Sequence, residues 1–433
     1  MKWLLVQAAY RFNVGFPLSL AQVATILEEQ GYTVKCIDGS TCTLDHILQE
    51  TKKWNPDIFG ISSTSLSIQY VFRLASKIKK MRPNLPVIVG GALAKLEYYK
   101  LLSRGPIDFC CVTDIEHCLT NQKCQTVEEI GKLPGIASIS SAGAISINSL
   151  VETVEFSLTP FPKREIGSLS IRNYNTASEV MDNAVALLST KGCPYSCSYC
   201  ASKDISGQHV QSRSVANVKQ EIDYLLSLGY RAFVFEDYEF LHDRERAQII
   251  ARYLGQNNAK WIIKARLESL KDIHLCKDMK ENGCKMAYVG LETLTAEASL
   301  RAGKPFWGIE DLEQTIQTIH SSGLALCVSI QFGLPGDTID DFITGTINIL
   351  PSLLDQERDL VQLHFTTLFP GTEVYQLMAK TARLVNLHDE FSDIIAHGLD
   401  GLVPGCLSDH TIRYVIEVAR KKLGKLLTKK AIW

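Results

Sequence analysis

Short apolar runs recur along the chain, separated by stretches whose apolar positions fall three and four apart. In residues 1–125 the runs Lys2 to Ala8, Thr33 to Ile37, Asp57 to Ser62, Val87 to Val89 and Phe109 to Val112 predict strands. Between them, Leu18 to Gln30, Asp45 to Thr51, Ile68 to Met81 and Lys95 to Ser103 predict helices. Apolar strands that alternate with amphipathic helices predict an α/β unit with a parallel, doubly wound, Rossmann-like sheet. Ligands of such sheets bind outside the carboxyl ends of the strands. Those ends here are Gln7 to Pro17, Ser62 to Ser67, Gly90 to Ala92 and Thr113 to Glu116, rich in Gly, Ser and Thr. Small residues let backbone amides approach a large flat ligand. No G-x-G-x-x-G is present, so a nicotinamide site has no support.

The alternation resumes at Ala184. Strands are predicted over Ala184 to Ser189, Ala232 to Phe235, Trp261 to Ala265, Met286 to Gly290, Ala325 to Phe332 and Gln362 to Leu368. Helices are predicted over Ser214 to Leu228, Asp243 to Leu254, Asp311 to Ser321 and Asp340 to Leu350. Residues 126–183 read as a linker with a small hairpin over Gly135 to Asn148, and residues 386–433 as a helical tail.

The 433 residues carry 45 Lys and Arg against 47 Asp and Glu, a net charge of −2, so a nucleic-acid partner has no electrostatic basis. Thirteen cysteines in a chain of this size and composition do not read as a secreted disulfide framework. The start, Met1-Lys-Trp-Leu-Leu-Val6, reads as a strand rather than a signal peptide. A reducing cytoplasm is therefore expected. No apolar run is long enough to predict a membrane-spanning helix.

Three of the cysteines change the picture. Cys193, Cys197 and Cys200 stand in Lys191-Gly-Cys-Pro-Tyr-Ser-Cys-Ser-Tyr-Cys200, directly after an apolar run. Three thiolates at C-x3-C-x2-C spacing can hold three irons of a 4Fe–4S cluster and leave the fourth iron open, whereas four-cysteine sites close every iron. A zinc knuckle or reduced core cysteines are the alternatives, although zinc usually takes four ligands and no second half-site follows.

The strand, the Gly-Cys-Pro turn, the cysteine spacing and the aromatic Tyr199 before the last cysteine resemble radical S-adenosylmethionine (SAM) enzymes. The first unit resembles the cobalamin-binding domain fused ahead of many of them, through Phe16-Pro-Leu-Ser-Leu20, Gly31 to Asp38, Pro56 to Thr64 and Pro86 to Gly91. Val112 to Leu119 departs from the family's Val-x-Gly-Glu-Gly-Glu pattern by losing both glycines. The Asp-x-His-x-x-Gly motif is absent, so no histidine of this domain is expected on the cobalt.

The resemblance implies residues 1–125 as the cobalamin domain and 184–385 as a partial (β/α)6, TIM-like radical SAM core. It implies the cluster on Cys193, Cys197 and Cys200, and SAM contacts from Tyr199, Glu236, Arg266, Glu292 and Gln331. Glu292, in Gly290-Leu-Glu-Thr293, is suited to SAM hydroxyl or ammonium groups; Arg266, in Trp261-Ile-Ile-Lys-Ala-Arg266, to its carboxylate. Cobalamin contacts are implied from Ser63, Thr64, Ser67, Gly90, Gly91 and Glu116. His364 reads as a core histidine or a group for substrate proton transfer.

The activity so implied is cleavage of SAM to a 5′-deoxyadenosyl radical, hydrogen abstraction from an unactivated carbon, and methyl transfer from methylcobalamin. Two alternatives stay open: a cobalamin-assisted radical rearrangement, cyclisation or oxidation, and a non-catalytic iron–sulfur or zinc protein. The expected partners are a small-molecule or peptide substrate and an electron donor such as flavodoxin or ferredoxin.

Overall fold

The computed structural model describes residues 1–9, 15–64, 66–114, 118, 123–149, 156–174, 176, 179–387, 390 and 400–428. The chain forms two compact units, Met1–Tyr174 and Asn175–Trp433.

In the first unit, β1 (Lys2–Gln7), β2 (Thr33–Asp38), β3 (Ile58–Ser63), β4 (Val87–Gly91) and β5 (Phe109–Cys111) form a parallel sheet in the order β2-β1-β3-β4-β5. Helices cross between them: α1 (Leu18–Glu29), α2 (Leu44–Trp54), α3 (Ile68–Met81) and α4 (Ala92–Arg104). The strands are mostly apolar because helices on both faces remove them from water. On α3, Val71, Leu74, Ala75 and Ile78 make the stripe that packs on Phe59, Ile61, Val87 and Val89.

The hairpin expected in the linker joins this sheet. Its strands β6 (Ile136–Ile139) and β7 (Ile145–Ile147) add antiparallel to β5, with Cys110 opposite Ala137. The edge of β5 presents backbone groups that need partners, and the hairpin supplies them. The following segment, with its short ladder β8 (Glu165–Ile166) and β9 (Leu169–Ser170), returns along α1 and β2. Lys163 N–H donates to Thr25 Oγ1 (2.9 Å), and Gly167, at φ +60°, lies where a Cβ would meet Cys36 N at 2.5 Å. The described residues of this segment fall within the first compact unit.

In the second unit, six parallel strands lie in chain order: β10 (Ala184–Leu187), β13 (Ala232–Phe235), β14 (Lys260–Ala265), β15 (Cys284–Glu292), β16 (Ala325–Phe332) and β17 (Leu360–Phe365). A small ladder of β11 (Thr190–Lys191) with β12 (Gln211–Ser212) follows β10. The main helices are Val215–Ser227, Arg244–Gln256, Ile273–Glu281 and Ile309–Ser321. Instead of one helix over Asp340 to Leu350, a short helix Ile339–Phe342 runs into a π-turn, Ile343–Ile347, and helix resumes at Leu350–Leu353 with Pro351 in its first turn. A proline has no N–H for the preceding turn, so it begins a helix more readily than it continues one.

The tail is not wholly helical. β18 (Arg383–Asn386) pairs antiparallel with β19 (Asp400–Val403) before the helix Asp409–Leu423. The chain then returns to the open edge of β17, where Thr428 N–H donates to Val361 O (3.0 Å). Among the described residues no helix is long and apolar enough to cross a membrane.

Candidate active site

The cysteine loop leaves β10 through a buried clamp. Asp237, fully enclosed after β13, accepts from Ser189 N–H (2.6 Å), Thr190 N–H (2.7 Å) and the Ser189 hydroxyl. Arg246 donates to Ser189 O (3.0 Å) and Arg213 to Leu188 O (2.9 Å). β11 and β12 close the neck of the loop. Gly192 sits there at φ +94°, where a Cβ would lie 2.2 Å from His209 O. Inside the loop Cys193 N–H donates to Gly207 O (3.0 Å) and Cys200 N–H to Cys197 O (3.1 Å). Ser198 donates through N–H to Ala302 O (3.1 Å) and through Oγ to Arg301 O (2.7 Å).

The loop therefore presents Cys193, Cys197 and Cys200 from a fixed backbone. All three are partly exposed, whereas Cys36, Cys110, Cys111, Cys118, Cys124, Cys276, Cys284 and Cys327 are buried. Burial raises the Cys193 and Cys197 thiols, and the other loop thiols add to the rise. Lys304 and Arg266 oppose it at Cys197. Accessible sulfurs that repel one another as anions, with cations beside them, suit a group that takes several thiolates and carries positive metal charge. Among the described residues no three His, Cys, Asp or Glu side chains are grouped for a single ion. A tetrahedral zinc needs its ligands drawn onto one point at about 2.3 Å. Three partly exposed thiols on one fixed loop fit a group that takes three thiolate ligands.

Beside the loop lies a second constellation. Tyr199 packs on Ala298, Ala302 and Leu334, and its hydroxyl donates to Glu292 Oε1 (2.8 Å). Burial, then the Glu292 carboxylate, pushes the phenol well above its ordinary value. Lys304 Nζ donates to the same oxygen (3.1 Å) and to Gly290 O (2.8 Å). Ser329 Oγ stands 3.5 Å from Glu292 Oε2. Glu292 holds φ +67°, at a register shift between β15 and β16. A non-glycine residue there is strained by roughly 1–3 kcal/mol, and such strain concentrates at ligand sites. A Cβ at Gly290 would meet Glu292 Oε1 at 2.4 Å and Lys304 Nζ at 2.9 Å, so the glycine makes room for the pair.

The remaining strand-end residues are distributed along the sheet. Glu236 pairs with Lys264 (2.6 Å). Arg266 binds Glu268 (2.9 Å) and lies 4.1 Å from the Tyr195 ring centroid. Gln331 Nε2 donates to Thr366 Oγ1 (3.1 Å). Thr338 caps the helix after it, accepting from Asp341 N–H (3.1 Å). In the acidic segment Glu236-Asp-Tyr-Glu-Phe240 the sequence offers carboxylates for SAM or for a helix cap and singles out Glu236, whereas Lys304 carries no local signal. Glu239 is buried and accepts from Arg266 N–H (2.6 Å). Asp237 and Glu239 share the acidic segment with Glu236, so only burial separates their roles. Lys304 lies beyond the short helix Ala296–Arg301, and no local pattern ties it to Glu292.

Asp337 holds the turn after β16, accepting from Leu334 N–H (3.2 Å) and Thr293 Oγ1 (3.3 Å). Burial pushes its carboxyl up to about 7. The folded chain keeps this proton above pH 3.8, where the unfolded chain loses it. Its contribution to stability is full below that pH and drains away as pH rises to about 7. The swing is bounded by something on the order of 4 kcal/mol. Asp337→Asn does not titrate, so thermal midpoints measured from about pH 5 to about pH 8 should show the variant gaining on wild type. A constant difference would refute the assignment.

In the first unit, Ser63 Oγ donates to Gly90 O (2.7 Å), and Ser67 Oγ donates to Thr64 O (2.8 Å). Gly91, at φ +86°, lies where a Cβ would be 2.4 Å from Ser63 O. The Thr64 hydroxyl is buried with no partner among the described residues. A glycine-lined strand end with a spare buried hydroxyl fits a large ligand rich in amides and phosphate, such as cobalamin. Glu116 and His117 lie outside the described residues, and His46 is on the exposed side of α2.

The B12 binding domain matches residues 5–121 and the radical SAM superfamily matches residues 187–344. The uncharacterised methyltransferase PH0819 of Pyrococcus horikoshii is 25% identical over 374 residues, covering 84% of this chain and 78% of its own. The hopanoid C-3 methylase of Methylococcus capsulatus is 22% identical, covering 86% and 71%. The structure of the radical SAM methyltransferase TsrM from Kitasatospora setae, with tryptophan and a SAM analogue bound, superposes with a TM-score of 0.72 at 18% identity, covering 88% and 76%.

Proposed function

We infer that this chain, a cobalamin-dependent radical SAM enzyme, is a C-methyltransferase acting on an unactivated carbon of a small molecule. The observation that carries the reading is the fixed loop with three partly exposed thiols beside the Tyr199–Glu292–Lys304 constellation, preceded in the chain by a B12 binding domain. The methyltransferase names of relatives spanning most of both chains support the transfer step.

When bound, the 4Fe–4S cluster, SAM and cobalamin supply the radical and the methyl group. Cys193, Cys197 and Cys200 hold the cluster. Glu292, fixed by Lys304 and Ser329, accepts hydrogen bonds from SAM, and Tyr199 packs beside it. Arg266 is placed for a carboxylate partner, and Glu236 and Gln331 line the same strand ends. Ser63, Thr64, Ser67, Gly90 and Gly91 receive cobalamin, together with Glu116. An electron donor of the flavodoxin or ferredoxin type would supply the reducing electron, and the oxygen lability of such a cluster favours a cytoplasmic setting.

The test is anaerobic reconstitution with iron, sulfide, cobalamin and SAM bearing a deuterated methyl group. The expected results are 5′-deoxyadenosine and a product that carries the labelled methyl. A product of unchanged mass would replace methylation with rearrangement, and absence of 5′-deoxyadenosine would end the radical reading.

A further inference from the structure

The inner face of the six-stranded sheet changes character along its length. At the amino ends it is apolar, with Ala232, Ile262, Met286 and Ala325 packed together. Toward the carboxyl ends, alternation places Lys264, Tyr288, Ser329, Gln331, Gln362 and His364 on that face. Tyr288 Oη and His364 Nε2 lie 3.3 Å apart, joining β15 to β17 across β16. Lys264 is held by Glu236 and Gln331 by Thr366.

Gln362 differs from these neighbours. It stands beside Ser329 in the register of β16 and β17 and is only 3% exposed. Its Oε1 accepts no hydrogen bond among the described residues. A buried amide oxygen without a donor is costly and rare. Here it sits on the ligand-facing end of a parallel sheet, where bound molecules are received. A hydrocarbon seated against it would leave the oxygen dry, whereas an N–H or O–H group would satisfy it.

Resting on the methyltransferase reading, we propose that the substrate is a small water-soluble molecule that donates an N–H or O–H to Gln362 Oε1, and not a hydrocarbon lipid. A site built around such a hydrogen bond rejects analogues that lack the donor far more strongly than an apolar pocket rejects a misfit.

The experiment offers reconstituted enzyme and methyl-deuterated SAM to the aqueous and the organic fractions of a cell extract, with labelled products read by mass spectrometry. Label in the aqueous fraction is expected. Label confined to the organic fraction overturns this proposal and leaves the methyltransferase reading intact; no label in either overturns both. With limiting aqueous extract, Gln362→Leu should lower labelled product at least about tenfold, and Gln362→Glu, which keeps an acceptor, should recover part of it. Cluster content and the SAM-induced change in the electron paramagnetic resonance signal report that the barrel is intact and SAM still bound. Undiminished labelling by Gln362→Leu means that water or packing alone occupies the amide and overturns the proposal. Loss of the SAM-induced signal change assigns Gln362 to SAM and overturns it equally.

Discussion

Cys197→Ala should yield no detectable 5′-deoxyadenosine and a protein that fails to retain a full complement of iron. Three thiolates are the fewest that leave a single iron open, so removing one opens a second iron to solvent and thiols. Changes to groups that merely orient a metal ligand cost 10- to 100-fold, and deletion of a ligand should exceed the upper end of that range, roughly a hundredfold or more. Cys197 is the informative choice because Lys304 and Arg266 lie close enough to favour its thiolate. The matched control is Cys406→Ser. That thiol is exposed in the tail, on no element that carries the loop, and its loss should leave iron content and SAM cleavage at wild-type levels. Iron and sulfide assays with low-temperature electron paramagnetic resonance check both variants. Full cleavage activity in Cys197→Ala would remove the cluster from this loop.

Most structure that depends on near neighbours in the chain is legible in the sequence, the stretch Asp340 to Leu350 being the exception. The strands of both parallel sheets carry enough apolar residues that each stands out as a run, and β13 and β16 coincide with their predicted spans. The cysteine spacing is local for the same reason. What escaped is non-local. The hairpin of β6 and β7 shows its turn in sequence, but nothing there says that the edge of β5 will take it up. β18 lies at the end of the stretch read as the core and its partner β19 in the stretch read as a helical tail, so no local pattern joins them. Within the site, Glu292 was visible through its motif, but its strained backbone and the lysine that neutralises it depend on three-dimensional contact. The acidic segment after β13 is the sharpest case. Glu236 is the residue a motif reader selects, yet it is the partly exposed one that pairs with Lys264, while Asp237 points into the protein and Glu239 secures Arg266 N–H.

Asp237→Ala should be the most damaging single change outside the cysteines. The carboxylate accepts the N–H groups of Ser189 and Thr190 and the Ser189 hydroxyl, and these residues carry the chain from β10 into the cysteine loop. Burial raises the Asp237 carboxyl, while these donors and the nearby Arg246 pull it back down. Alanine leaves two buried N–H groups without acceptors and removes a carboxylate that favours the charged form of Arg246. Each buried donor left unsatisfied costs about 1–3 kcal/mol. Asp237→Asn keeps an oxygen for the two N–H groups and loses the charge, so it should fall between alanine and wild type. Thermal denaturation of the cluster-free protein reads this cost directly, with the order wild type, Asn, Ala. Cluster loading should follow the same order, since the clamp sets the direction in which Gly192 turns the loop. If alanine lowered stability but loaded iron normally, Asp237 would be a core residue that happens to precede the site. If it lowered neither, the clamp would carry no weight at all.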